Sequence, residues 1–165
     1  MPSAIDQGLG LLVWSPLAGG LLSGKYRRGE APPPGSRRAG EWTEPPVYDE
    51  DKLYDTVDAL VEIADAHHRS PAQVALAWLL GRPGITTVII GARTEAQLAD
   101  NLAAAELELL DHEIDQLEEV SRPPLIYPHW HQRNTAADRL SAADLSLLEP
   151  YLTPASPRAL MGTAS

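Results

Sequence analysis

The stretch Leu11–Tyr26, LLVWSPLAGGLLSGKY, decides how the rest of the chain is read. The run from Gly8 to Trp14 is short, apolar and bounded by Gly and by Ser-Pro. Such a run predicts a strand buried on both faces, as in a parallel sheet. It runs straight into small residues, Ala18, Gly19 and Gly20, which let a backbone approach a ligand closely. Ser15 offers a hydroxyl, Trp14 a flat face at the strand's C-terminal end, and Lys25 a charge a few residues on. Taken alone, the loop has two readings: a tight strand-to-helix connection beside a core Trp, or a ligand cradle.

Downstream, residues 27–49 carry enough Pro and Gly to forbid a continuous helix and predict a long irregular loop. Residues 51–68 predict an amphipathic helix, with Leu53, Val57, Leu60, Ala64 and His67 at three- and four-residue spacing. A second helix starts at Ser70, with Pro71 at its first position and Gln73 completing a capping box, and stops at Gly81. The β-branched run Gly84–Gly91 predicts a second buried strand. Thr94 and Gln97 predict a capping box for the next helix. Asp111 is the expected cap of another, with Ile114, Leu117 and Val120 inward. An extended connector over 121–130 and a short helix opened by Ser141 and Asp144 follow, and the last ten or so residues are expected to fray.

The 165 residues suffice for one domain with a sizeable core. A formal net charge of -10 speaks against nucleic acid or an anionic membrane as partner, since both call for a basic surface. There is no Cys, hence no disulfide and no thiolate chemistry. Neither an apolar run of membrane-spanning length nor a signal-peptide pattern is present, so a soluble cytoplasmic protein is expected. Alternating strands and helices imply a parallel sheet. Two such strands leave unpaired edges, so either further strands complete the sheet or the chain self-associates.

The second strand also ends in a glycine, Gly91, and leads through Ala92 and Arg93 to Thr94. A cation at a helix N-terminus opposes the helix dipole and is explained if an anion joins them; the alternative is a solvated Arg. Two consecutive strands ending in glycine turns near basic residues match the phosphate site of an eight-stranded barrel, built from the loops after its last two strands.

The blocks VWSPLAGGLLSGKYR, PPPGSRR, ALAWLLGRPGITTVIIGARTEAQLADNLAA and YPHW together resemble the C-terminal part of an aldo-keto reductase, over roughly residues 5–130. The branch resembled is the bacterial one similar to potassium-channel β subunits. The resemblance implies an α/β fold: the C-terminal portion of a (β/α)8 TIM barrel, about the last two strands with their helices. It implies a barrel part over residues 1–130 and a tail over 131–165 with one short helix. It implies NADP(H) as cofactor and a small carbonyl compound as substrate.

Residue roles follow from the same resemblance. Trp14 would stack on the nicotinamide; Ser15, Pro16, Leu17, Ala18 and Gly19 would line the pyrophosphate; and Lys25 would contact phosphate. Arg37 would belong to a loop folding over the cofactor. Gly91, Arg93 and Gln97 would surround the 2′-phosphate, and Asp100 and Asn101 would meet the adenine. The family's acid–base residues, a Tyr with Lys, Asp and His, stand in N-terminal motifs that have no counterpart here. No catalytic residue is therefore assigned; Tyr26 and His129 stand outside those motifs. Three readings follow: the cofactor-binding part of a carbonyl reductase, a non-catalytic NADP(H)- or partner-binding chain, and a truncated gene product without activity of its own.

Other features read as structural. His67 and His68 suit a helix C-terminus. His129 and His131 would pair as metal ligands only on a strand, and no second ligand cluster has matching spacing, so no metal is expected. The acidic run 106–119 is expected to be a solvated helix face, and Trp78 a core residue.

Overall fold

A computed structural model describes residues 2–40 and 44–152. The expected fraying of the last ten or so residues lies outside them. In chain order the elements are α1 (Pro2–Asp6), β1 (Leu11–Trp14), α2 (Glu50–His67), α3 (Pro71–Leu80), β2 (Ile85–Ile89), α4 (Glu95–Leu102), α5 (Asp111–Ser121), α6 (His129–Thr135) and α7 (Ala142–Leu148). Short 3-10 turns follow β1 at Ala18–Ser23 and α4 at Ala103–Glu106. The chain divides into two compact units, Leu12–Arg122 and the two chain ends.

In the larger unit, helix boundaries follow local chemistry. The Asp49 carboxylate accepts from the Lys52 amide at 2.9 Å and caps α2, while His68 ends it in the left-handed region at φ 53°. Ser70 Oγ accepts from the Gln73 amide and the Gln73 side chain returns to the Ser70 amide, the capping box expected for α3. These helices bury one core: Leu60, Ile63 and Ala64 from α2, Val74 and Ala75 from α3, and Leu117 from α5. Leu17 and Leu22, from the turn after β1, pack against it, and so does the partly buried Trp78. The glycine loop is thus attached to the helical core by its own leucines.

β1 and β2 are hydrogen-bonded neighbours in an open two-stranded sheet, and α3 packs against β2. The expectation of strands buried on both faces does not hold. Burial alternates along β1, with Leu12 64% and Trp14 81% exposed, and Ile89 on β2 is 48% exposed. β1 is apolar on both sides but only Leu11 and Val13 are partly covered, and β2 exposes Thr86, Thr87 and Ile89.

Three local expectations also change. α5 is capped at Leu110, whose amide donates to Glu113 Oε2 at 2.8 Å, so Asp111 is the first helical residue. At α4, Thr94 Oγ1 accepts from the Gln97 amide, but Gln97 Oε1 accepts from Arg93 rather than Thr94, so the expected box is open. The acidic run is not uniformly solvated. Glu113 is 5% exposed and its two carboxylate oxygens lie 2.8 and 2.9 Å from His67 Nε2, joining the end of α2 to the start of α5. The loop after Tyr26 is irregular, as expected, and is tied to α2: Arg28 reaches Asp51 and Asp55 at 2.5 and 2.7 Å, and Arg38 reaches Glu50 at 3.3 Å.

In the smaller unit, α1 packs with α7, and Ala4, Ala143 and Leu148 are buried. Ser141 and Asp144 form the expected capping box. The connector expected to be extended over 121–130 is bounded on both sides by helix, since Ser121 ends α5 and His129 starts α6. His129 and His131 therefore lie two apart on a helix, where side chains diverge. Among the described residues no three His, Cys, Asp or Glu side chains are grouped to hold a metal.

Candidate functional site

A cleft of about 530 Å³ lies where the C-terminal ends of β1 and β2 meet. Both strands deliver their C-terminal ends to one side, which is the arrangement of parallel neighbours. Its wall from β1 comprises Trp14, Ser15, Pro16, Leu17 and Gly19. Its wall from β2 and α4 comprises Gly91, Arg93, Gln97, Asp100 and Asn101. Lys25 and Arg37 join from the loop after β1. Of the residues expected at a cofactor site, Ala18 alone does not line this cleft.

The first wall is a tight turn built from unusual backbone. Ser15, Ala18, Gly19 and Gly20 have φ of 56°, 48°, 66° and 96°. Ser15 O accepts from Ala18 N at 2.9 Å, and Leu17 O accepts from Gly20 N at 2.8 Å. The positive φ at positions 19 and 20 favours glycine, and both glycines have close side-chain neighbours. A Cβ on Gly20 would stand 2.7 Å from Lys25 Nζ, and one on Gly19 would stand 3.2 Å from Pro45 Cδ and 3.6 Å from Arg37 Nη1. Two cationic side chains thus approach the two glycines, beside a turn shaped by successive left-handed residues. Such backbone concavities suit anions.

Lys25 Nζ also lies 5.0 Å from the Tyr26 ring centroid. Tyr26 is buried and its hydroxyl accepts from the Arg38 amide at 3.4 Å. Burial acts to raise the phenol pKa. The neighbouring Ser36 hydroxyl, the Arg38 amide and the Lys25 charge outweigh it, and the pKa is lowered from the ordinary value.

On the second wall, Arg93 precedes the helix: Thr94 is the cap and Glu95 begins α4. Arg93 therefore stands just ahead of the first turn, with its amide donating to Gln97 Oε1 at 2.9 Å. Its guanidinium is exposed and makes no ion pair among the described residues. A Cβ on Gly91 would meet open space. Asn101 is buried, at 8% exposure. Asp100 is held by protein groups: Ser70 Oγ donates to Oδ2 at 2.7 Å, and Gln73 Nε2 donates to Oδ1 and to the Asp100 carbonyl, both at 2.9 Å.

Gly20, already named in the glycine turn, also lines the cleft, as do Ser23, Ser70, Ala72, Ile89, Ile90 and Ala92, which the sequence reading gave no site role. Gly20 was legible beside Gly19. Ser70 and Ala72 were not, because they open a helix some fifty residues away in the chain.

The sequence model of the Aldo/keto reductase family matches residues 2–122. The chain belongs to that family. It is 42% identical over 114 residues to the uncharacterized oxidoreductase YrpG of Bacillus subtilis (strain 168), covering 69% of this chain and 32% of that protein. A probable voltage-gated potassium channel subunit beta of Arabidopsis thaliana is 38% identical over 109 residues, 65% of this chain and 33% of its own length. Protein tas of Escherichia coli (strain K12) is 35% identical over 116 residues, 69% of this chain and 32% of its own. The chain spans about a third of the length of these curated relatives. No helix among the described residues is long and apolar enough to cross a membrane.

Proposed function

We propose that this chain carries the NADP(H)-binding part of an aldo-keto reductase barrel, the portion that contains its last two strands. The observation that carries the reading is the shared cleft. Two consecutive strand ends bring Lys25, Arg37 and Arg93 around one concavity, in a chain whose formal net charge is -10. Cations concentrated against the sign of the whole chain favour an anionic ligand.

The residues fit a dinucleotide that carries an additional phosphate. The left-handed turn at Ser15–Gly20, with Lys25 and Arg37 against its glycines, takes the pyrophosphate. Arg93, with Gln97 and Gly91, takes the 2′-phosphate. Asp100 and Asn101 take the adenine edge, and exposed Trp14 offers its ring to the nicotinamide. When bound, the nicotinamide supplies hydride for reduction of a small carbonyl compound to an alcohol. This chain's residues orient the cofactor, and the proton-donating Tyr with its Lys, Asp and His partners belongs to the N-terminal part of the family's barrel. A cofactor-binding chain without catalysis is the second reading, favoured by the open sheet. Exposed strand edges would then favour self-association. Either reading is that of a cytoplasmic protein with no nucleic-acid or membrane partner.

Titration of the chain with NADPH and NADH, followed by nicotinamide fluorescence, tests the proposal. NADPH should bind more tightly. Arg93→Ala should weaken NADPH by about 1.5–3 kcal/mol, the range for a hydrogen bond to a charged group, and leave NADH nearly unchanged. Equal losses for both nucleotides would remove the 2′-phosphate assignment, and no fluorescence change with either would remove the cofactor.

A further inference from the structure

α4 supplies Gln97, Asp100 and Asn101 to the cleft, yet it is weakly held by apolar contact. Leu98 and Leu102, its two leucines, are both exposed, and Asn101 is its one buried residue. What fastens it is polar and comes from α3. Ser70 and Gln73 together make three hydrogen bonds to Asp100, at 2.7, 2.9 and 2.9 Å, which occupy both carboxylate oxygens and the carbonyl. Gln73 is 5% exposed, so these bonds are sheltered from water. The same two side chains close the capping box of α3, so their rotamers are fixed by the helix they open. The Asp100 charge also stands at the N-terminal end of α3, where the helix dipole favours an anion.

We propose that Ser70 and Gln73 are positioning residues for the ligand wall, acting through Asp100 to hold α4 so that Asn101 and Gln97 face the cleft. The clasp converts the cap of one helix into the anchor of the next. That ligand binding depends on it rests on the NADP(H) reading above; that it anchors α4 does not.

Three variants of the full chain test this: Ser70→Ala, Gln73→Glu, and Gln73→Glu combined with Asp100→Asn. Gln73→Glu sets two carboxylates against each other, whereas the double variant restores the side-chain amide–carboxylate bond and forfeits the bond to the Asp100 carbonyl. Amide hydrogen exchange over residues 95–102 should quicken at least tenfold in Gln73→Glu and less in Ser70→Ala, with residues 50–67 unchanged. The double variant should recover part of that loss, exchanging at least threefold more slowly than Gln73→Glu. NADPH affinity should fall at least fivefold in Gln73→Glu. Unchanged exchange over 95–102, or failure of the double variant to recover, overturns the clasp. Should Gln73→Glu also loosen residues 50–67, the decision passes to Ser70→Ala, whose unchanged exchange overturns it equally. Quickened exchange with unchanged NADPH affinity overturns the positioning role. A parent chain that ignores NADPH defeats the cofactor reading, and exchange alone then decides the clasp.

Discussion

The apolar residues of the helical layer and those of the sheet in the larger unit end in opposite states. On the helical side Leu60, Ile63, Val74 and Leu117 are closed off from solvent, Val74 completely. On the sheet, Leu12, Trp14 and Ile89 stand open to water. The difference is one of layers. A helix needs one apolar stripe covered, and α2, α3 and α5 cover one another. A strand apolar on both sides needs two layers, and here it has one. Stability in this unit therefore belongs to the helices, while the cleft belongs to the sheet's C-terminal end.

Paired truncations would break that comparison most directly. Leu60→Ala should cost about 2–5 kcal/mol in urea unfolding, through lost burial and a residual cavity. Leu12→Ala, the same chemical change on the open strand, should stay within about 1 kcal/mol, since little buried surface is lost. Equal costs would show that the sheet face is covered in solution.

A smaller effect is expected from the polar joint of the helical layer. Glu113→Ala leaves His67 and the Leu110 amide without their acceptor, and should cost about 1–3 kcal/mol in the same assay. A negligible cost would mean that apolar contact alone joins α2 to α5.

The smallest effect lies outside both regions. In the chain-end unit, the hydrogen bonds from the Ser141 hydroxyl and amide hold the Asp144 carboxyl below its usual range. Its folded pKa is depressed, so its contribution is fully present above the ordinary carboxylate pKa and is lost as pH falls through the lowered value. Proton titration of Asp144 by NMR should show that depression, and Ser141→Ala should reduce it, leaving the part due to the backbone amide.

Much of this was legible locally. The Ser70–Gln73 box, the α2 stripe and the glycine turn each depend on residues within a few positions of one another, and the structure has them all. The sites of disagreement are those where a distant residue decides. Glu113 was counted with a solvated acidic face because nothing near it in sequence announces His67, 46 residues away. The Leu110 cap escaped notice because its side chain has no acceptor; the bond comes from Glu113 reaching back. Burial of the strands was overestimated because apolar pattern reports what a strand can bury, whereas coverage depends on what else is packed there. All but one of the expected cofactor residues line one cleft, but Ser70 and Gln73 show a second role only once α4 is brought beside α3.

The strands that frame the cleft are neighbours in space and some seventy residues apart in sequence. Their pairing closes a long loop, whose entropic cost is recovered only after α2 and α3 have formed and docked between them. The glycine turn can take its left-handed shape early, from local bonds alone, but the concavity it faces does not yet exist. The completed cleft is then among the last features this chain acquires as it folds, and among the first it loses when the helical layer is weakened.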